Sequence, residues 1–135
     1  MRNSYTVIMT ISTPGLHAYE ASVRSDVTEL VAELRELLGA KLVAYIGSVS
    51  ETRAVRQWAD GERKPPAEVV RRLRLAYQAA GLLAERDEAR VIQAWFQGMN
   101  PQLEDWAPAR LIRENSPDVV GTRIMVAARA FAAVG

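Results

Sequence analysis

Side chains that can hydrogen-bond to DNA base edges cluster in one segment, residues 48–66, SVSETRAVRQWADGERKPP. This segment predicts a short helix, residues 51–60, which Ser48 or Ser50 caps and Gly61 ends. Its apolar residues share one side at the helical period: Ala54, Val55 and Trp58. The opposite side carries the candidate base contacts: Glu51, Thr52, Arg53, Arg56 and Gln57. Arginine can pair with guanine and glutamine with adenine, and glutamate can accept from cytosine.

Basic residues follow this helix and continue into the next one. Arg63 and Lys64 lie just past Gly61, and three arginines follow at positions 71, 72 and 74. We expect these cations to contact phosphates and to fix the docking of the helix. The plainer alternative is a solvated face of a helical bundle, because the net charge of the 135-residue chain is only +1.

The preceding residues predict two helices that would position this segment. Apolar residues at helical spacing begin after Asp26, which has capping-box spacing to Glu29, and Gly39 is placed to end that helix. The sequence KLVAYIG then predicts a short helix up to Gly47. Two short helices joined by a tight turn are typical of a helix-turn-helix, whose second helix lies in the major groove.

The remaining chain also predicts helices. One begins at Pro65-Pro66 and is ended by Gly81, and another begins at Pro108. Ser116 is expected to cap the last helix, whose predicted inward residues are Val120, Ile124, Ala127, Phe131 and Val134. We therefore expect an all-α fold, a helical bundle with a helix-turn-helix and a small helical C-terminal domain.

The N-terminal segment has a different pattern. Residues 5–11, YTVIMTI, are β-branched and aromatic with alternation, which predicts a short β-strand ended by a turn at Thr13-Pro14-Gly15. A second copy of the chain could pair with it, or the segment could be an unstructured arm. The expected organisation is an arm (1–25), a helix-turn-helix domain (26–82) and a C-terminal domain (83–135).

Composition argues against several classes of protein. The chain has no cysteine and one histidine, His17, so we expect neither a metal site nor a cofactor. No glycine-rich phosphate loop or nucleophile cluster is present, which argues against an enzyme. No apolar run approaches the roughly 20 residues that span a bilayer, so we expect a cytoplasmic protein.

Two stretches carry a family resemblance. The segment VRQWADGERKPPAEVVRRLRLAYQA resembles the second half of an Xre-type helix-turn-helix, with Trp58, Gly61, a basic residue and Pro65 in order. The interval from Gly47 to Trp58 is longer than in the compact repressor motif. The segment AWFQGMNPQLEDWAPARLI resembles the toxin-binding domain of the MbcA/ParS/Xre antitoxin family. The matching residues are Trp95, Asn100, Pro101, Leu103, Pro108, Leu111 and Ile112.

This resemblance spans about residues 26–134 and implies a function. It implies a type II antitoxin that forms a helical homodimer, binds operator DNA as an autorepressor and neutralises a RES-domain, NAD-consuming toxin by covering its active site. Our candidate toxin contacts are Asn100, Trp106, Arg123 and Arg129. The family commonly has glycine in the turn where this chain has Glu104-Asp105-Trp106.

Two alternatives fit the same sequence. The first is a stand-alone Xre-like transcriptional regulator without a toxin, which the absence of a neighbouring RES-domain reading frame would favour. The second is a scaffold or adaptor whose helix-turn-helix makes only protein contacts. Acidic residues beside the basic ones, Asp60, Glu62 and Glu68, favour the adaptor because they weaken the positive potential.

Overall fold

A computed structural model of the chain describes the backbone of residues 13–134 and the side chains of residues 26–134. Within that range the chain forms seven α-helices and one 3-10 helix, and no strand. The first four α-helices are α1 (Thr13–Leu38), α2 (Ala40–Ile46), α3 (Thr52–Asp60) and α4 (Ala67–Leu83). They are followed by α5 (Ala89–Gln97), a 3-10 helix (Pro101–Leu103), α6 (Pro108–Glu114) and α7 (Pro117–Ala133). The all-α prediction is confirmed, and the predicted strand at residues 5–11 lies outside the described residues.

Two glycines separate helices as the sequence predicts. Gly39, with a φ of 86°, ends α1 and donates its N–H to the carbonyl of Arg35 at 2.8 Å. Gly61, with a φ of 81°, ends α3 in the left-handed conformation, and the next N–H, of Glu62, bonds back to the Gln57 carbonyl at 2.9 Å. This pattern reverses the chain immediately after α3 because glycine has no Cβ to oppose a positive φ.

Three predicted helix ends are wrong. α1 begins at Thr13 instead of Asp26, since Pro14 is tolerated in a first turn, and Asp26 instead binds Arg74 at 3.1 Å. α3 has Glu51 at its N-cap with no side-chain cap, so neither Ser48 nor Ser50 caps it. α4 continues past Gly81 to Leu83, because glycine is tolerated inside a helix whose other residues pack well.

One hydrophobic core joins helices from both halves of the chain. Its largest fully buried side chains include Trp58 of α3, Leu34 of α1, Leu73 of α4, Phe96 of α5 and Ile124 of α7. α4 packs on α1 on one side and on α7 on the other, and α2 packs on α6. A division near residue 82 remains a prediction, and the helices on both sides of that residue share this core.

Polar contacts also tie helices together. The Gln93 amide on α5 donates to the Leu37 carbonyl at the end of α1 at 3.1 Å. The Tyr77 hydroxyl on α4 donates to the Glu33 carboxylate on α1, and this hydrogen bond is the main cause that raises the pKa of Tyr77 above its usual value. The described part of α1 is therefore held at both α4 and α5.

The end of α7 differs from its prediction. Val120, Ile124 and Ala127 are buried as expected, but Phe131 is 40% exposed and Val134 is 77% exposed. The last turn of α7 lines an open groove with Trp95, which lies on α5, so its apolar residues are only partly covered. The prediction that Phe131 and Val134 point inward is therefore wrong.

Gly61 and Gly81 allow a matched test of the α3 terminus. We expect Gly61→Ala to lower the free energy of unfolding by about 1 kcal/mol, because a Cβ is strained at positive φ. Gly81→Ala should raise the same quantity by roughly 0.5–1 kcal/mol, because Gly81 is helical and an added Cβ meets no atom within 4 Å. Urea unfolding of both variants measures this, and equal effects of the same sign would contradict the assigned termini.

Candidate nucleic-acid interface and apolar groove

Close packing at one glycine and one tryptophan sets the angle of α3 against α2. Gly47 is buried in the turn, and a Cβ added there would lie 3.3 Å from two carbons of the Trp58 ring. Trp58 is 1% exposed, and Val55, one turn earlier on α3, is fully buried. The turn itself, residues 47–51, includes Ser48 at a φ of 60°. α2, this turn and α3 thus form a helix-turn-helix held by its own core side chains.

The outward side of α3 is placed as the sequence predicts. Glu51, Thr52, Arg53 and Arg56 are exposed, whereas Gln57 is half-buried. Their positions follow from the burial of the opposite side of the helix, and the predicted separation into two sides is confirmed. α3, which is nine residues long, therefore presents one polar side to solvent.

Each arginine on this surface has a carboxylate partner. Arg53 lies 3.6 Å from Glu51. The Arg56 Nη1 atom lies 3.2 Å from Asp60 and 3.1 Å from Glu62. These contacts reduce the net positive charge that the helix offers to phosphates.

Arg63 and Lys64 differ from the arginines of α3. Both are exposed, and neither side chain makes an ion pair or hydrogen bond with any of the described residues, although the Arg63 backbone N–H donates to the Gln57 carbonyl at 3.2 Å. They follow directly on the chain reversal at Gly61, so they lie at the C-terminal end of α3. Their positive charges are consequently more available to a phosphate backbone than those of Arg53 and Arg56.

A shallow depression of about 350 Å³ adjoins the start of α3. It is lined by the turn residues 48–51 together with Arg53, Gln57 and Arg63. The depression therefore brings the predicted base contacts Arg53 and Gln57 together with the predicted phosphate contact Arg63.

The arginines of α4 form ion pairs, two of them with other helices and one within α4. Arg71 binds Asp118 of α7 at 2.8 Å, and Arg74 binds Asp26 of α1 at 3.1 Å. Arg72 binds Glu68 at 3.2 Å, and its side chain is only 18% exposed. These ion pairs occupy the guanidinium groups that we expected to contact phosphates.

The Asn-Pro turn that carries the second resemblance is tightly ordered. The Asn100 side chain accepts from the Gln102 N–H at 2.9 Å, and the Asn100 N–H donates to the Trp106 carbonyl at 3.2 Å. Glu104 and Asp105, at φ values of 56° and 68°, take the left-handed conformations that glycine would favour. Asn100 is buried, and its side chain holds this turn. Its contact with a toxin remains a prediction.

Three of the four candidate toxin contacts come together at this turn. Trp106 is half-buried with the Arg110 guanidinium 4.7 Å above its ring. Arg123 of α7 reaches the turn through Glu104, at 3.7 Å. Arg129 is not among them, because it lies beside α4 in a separate groove between α4 and α7.

An apolar groove of about 440 Å³ lies between α5, the Asn-Pro turn and the end of α7. Met99 is 79% exposed there, and Phe131 and Val134 line it as well. The helical period predicts Phe131 and Val134 in the core, so it does not identify them as surface residues. Exposure of Met99 could have been inferred only from the neighbouring Asn-Pro turn signal.

Arg113 on α6 holds the end of α2. Its Nη1 donates to the Tyr45 carbonyl at 2.6 Å, and its guanidinium lies 4.6 Å from the centre of the Tyr45 ring. The same carbonyl accepts the Ser48 N–H at 3.1 Å, in the turn that leads to α3. The C-terminal half thus stabilises the turn of the helix-turn-helix.

Comparisons with known proteins identified no similar protein. A scan against protein-family models, a search of curated proteins and a search of solved structures each found no match. No helix among residues 13–134 is long and apolar enough to cross a bilayer. Across the described residues, no group of His, Cys, Asp or Glu side chains is arranged to hold a metal ion.

Removal of the Arg113 side chain should loosen the α2–α3 turn. We expect Arg113→Ala to lower the free energy of unfolding by about 1 kcal/mol, through loss of a charged hydrogen bond and a cation–π contact. Amide hydrogen exchange at Ser48 should accelerate at the same time. Arg90→Ala is the control, because Arg90 is 84% exposed and 3.9 Å from Glu88. Unchanged exchange at Ser48 in the Arg113 variant would show that this contact does not hold the turn.

Proposed function

We propose that this protein is a DNA-binding antitoxin of the MbcA/ParS/Xre type. In this proposal a cytoplasmic homodimer binds its operator through α3 and represses its own expression. The C-terminal half neutralises a RES-domain toxin by covering its active site. A homodimer would bind two half-sites, since the symmetry of such a repressor matches that of its operator.

The observation that carries the DNA-binding proposal is the position of α3. The helix is anchored on its inner side by Trp58 and Val55, and it presents Thr52, Arg53 and Arg56 to solvent. A recognition helix needs this division, because its inner side must fix its angle while its outer side remains free to contact base edges.

The toxin-binding proposal is supported by the apolar groove beside the Asn-Pro turn. Exposed apolar groups on a protein surface are typical of contacts with another protein. The groove is lined by Asn100, and Trp106 and Arg123 contact the same turn outside the groove. The RES domain as the partner rests on the family resemblance alone.

An adaptor without DNA binding is favoured by one observation. The ion pairs of Arg53 and Arg56 leave the α3 surface nearly neutral, whereas nucleic-acid-binding surfaces carry a clear positive excess. Under that alternative the purified protein binds its upstream DNA and a scrambled duplex equally weakly.

DNA binding can be tested by fluorescence anisotropy with the upstream duplex and a scrambled duplex over a range of salt concentrations. We expect preferential binding to the upstream duplex. Arg63→Ala and Lys64→Ala should each weaken binding to both duplexes. The negative slope of log K against log salt should become shallower by about 1 in each variant, because each removes one phosphate contact. Arg90→Ala removes an equal charge from α5 and should leave the slope unchanged. Equal slopes for all four proteins would contradict the assigned phosphate contacts.

The proposal expects a RES-domain protein to be encoded beside this chain, and toxin binding can be tested with that protein. We expect Phe131→Ser and Met99→Ser each to raise the Kd by at least about thirtyfold, because hot-spot truncations at interfaces cost about 2 kcal/mol or more. Val119→Ser is the matched control, since Val119 is 67% exposed but lies at the opposite end of α7. Inhibition of NAD consumption should weaken in parallel. Equal effects at the three positions, or no adjacent RES-domain gene, would count against this half of the proposal.

A further inference from the structure

We infer that Arg56 is the guanine-recognising residue of α3, and that Asp60 and Glu62 are positioning residues that hold its side chain. This inference rests on the proposed DNA binding and adds the base class and the residues that determine specificity. The sequence alone does not distinguish Arg56 from Arg53, because both lie on the outward side of one short helix.

The two arginines are held very differently. Arg56 has two carboxylates on one nitrogen, with Nη1 at 3.2 Å from the Asp60 Oδ2 and 3.1 Å from the Glu62 Oε2. Arg53 has one partner at the longer distance of 3.6 Å, and its side chain is 69% exposed, against 44% for Arg56. Arg56 is therefore the arginine whose conformation is fixed before any ligand binds.

The chain reversal at Gly61 creates this arrangement. Asp60 lies one helical turn after Arg56, which is the usual spacing for a helical ion pair. Glu62 is six positions after Arg56 and would point to another side if α3 continued as a helix. The left-handed Gly61 returns the chain instead, so that the Glu62 N–H reaches the Gln57 carbonyl at 2.9 Å and its carboxylate reaches Arg56.

The geometry leaves the donors that guanine requires. Both carboxylates contact Nη1, so the hydrogens of Nη2 and Nε make no contact with the described residues. Guanine presents O6 and N7 in the major groove, and two parallel N–H donors satisfy both. A guanidinium that is already fixed loses less conformational entropy on forming this contact.

The same carboxylates oppose nonspecific binding. Asp60 and Glu62 place two negative charges at the end of the helix, where they repel phosphates of any sequence. They thus lower affinity for random DNA while they favour the one contact that depends on the base. Specificity often uses such a repulsive element together with an attractive one.

The experiment begins with the duplex that the wild-type full chain enriches from a random-sequence pool. Each guanine is then replaced in turn by 7-deazaguanine, which lacks the N7 acceptor, and binding is measured by anisotropy. We expect one replacement per half-site to weaken wild-type binding about tenfold, because it removes one of the two acceptors of the bidentate contact. Arg56→Ala should bind both duplexes equally because alanine has no donor for guanine, whereas Arg53→Ala should retain the tenfold difference.

The positioning role is tested with the Asp60→Asn/Glu62→Gln double variant. Its sensitivity to 7-deazaguanine should fall to about threefold or less, while its affinity for random DNA rises because two negative charges are removed. Glu36→Gln/Glu85→Gln is the charge-matched control, since both residues are exposed and make no ion pair with the described residues. Glu62→Asp, with a shorter carboxylate, should retain part of the sensitivity.

The outcomes separate this inference from the proposed function. If the wild-type chain enriches no duplex, both fail. If it enriches one but the 7-deazaguanine effect persists in Arg56→Ala or disappears in Arg53→Ala, only the inference is wrong. An unchanged effect in the Asp60→Asn/Glu62→Gln variant would likewise overturn the positioning role while leaving DNA binding intact.

Discussion

Packing of the Trp58 ring against Gly47 is the constraint on which the helix-turn-helix depends. The ring limits the space for a side chain at position 47, because two of its carbons would lie only 3.3 Å from an added Cβ. This contact brings the turn close to the inner side of α3 and sets the direction in which its outer side points. The same tryptophan lies in the core that α1 and α4 complete, so the angle of α3 is coupled to the whole bundle.

The turn is also fixed from the other half of the chain. Arg113 binds the Tyr45 carbonyl, and Gln93 binds the Leu37 carbonyl at the end of α1. Helix ends leave carbonyls without helical partners, and these two are satisfied by side chains from α5 and α6. α6 therefore contacts the carbonyl that also accepts the Ser48 N–H in the turn before α3, and α5 contacts the end of α1.

The elements that could be predicted from the sequence are those that local rules determine. Gly39 and Gly61 end helices because of backbone conformation, Ser116 caps α7, and the sides of α3 follow from the period of Ala54, Val55 and Trp58.

The start of α1 was missed because Pro14 is compatible with both a turn and a first helical turn. Phe131 was assigned to the core because periodicity does not show where the facing helices stop. The Arg56 cluster was missed because it requires the three-dimensional reversal at Gly61.

Contact between DNA and the outer side of α3 can be observed by NMR titration of the isotope-labelled full chain with its enriched duplex. We expect amide and Arg Nε–Hε shift changes concentrated at residues 52–64, with smaller changes for a scrambled duplex. Changes confined to the apolar groove at Met99 and Phe131, or equal small changes with both duplexes, would contradict it.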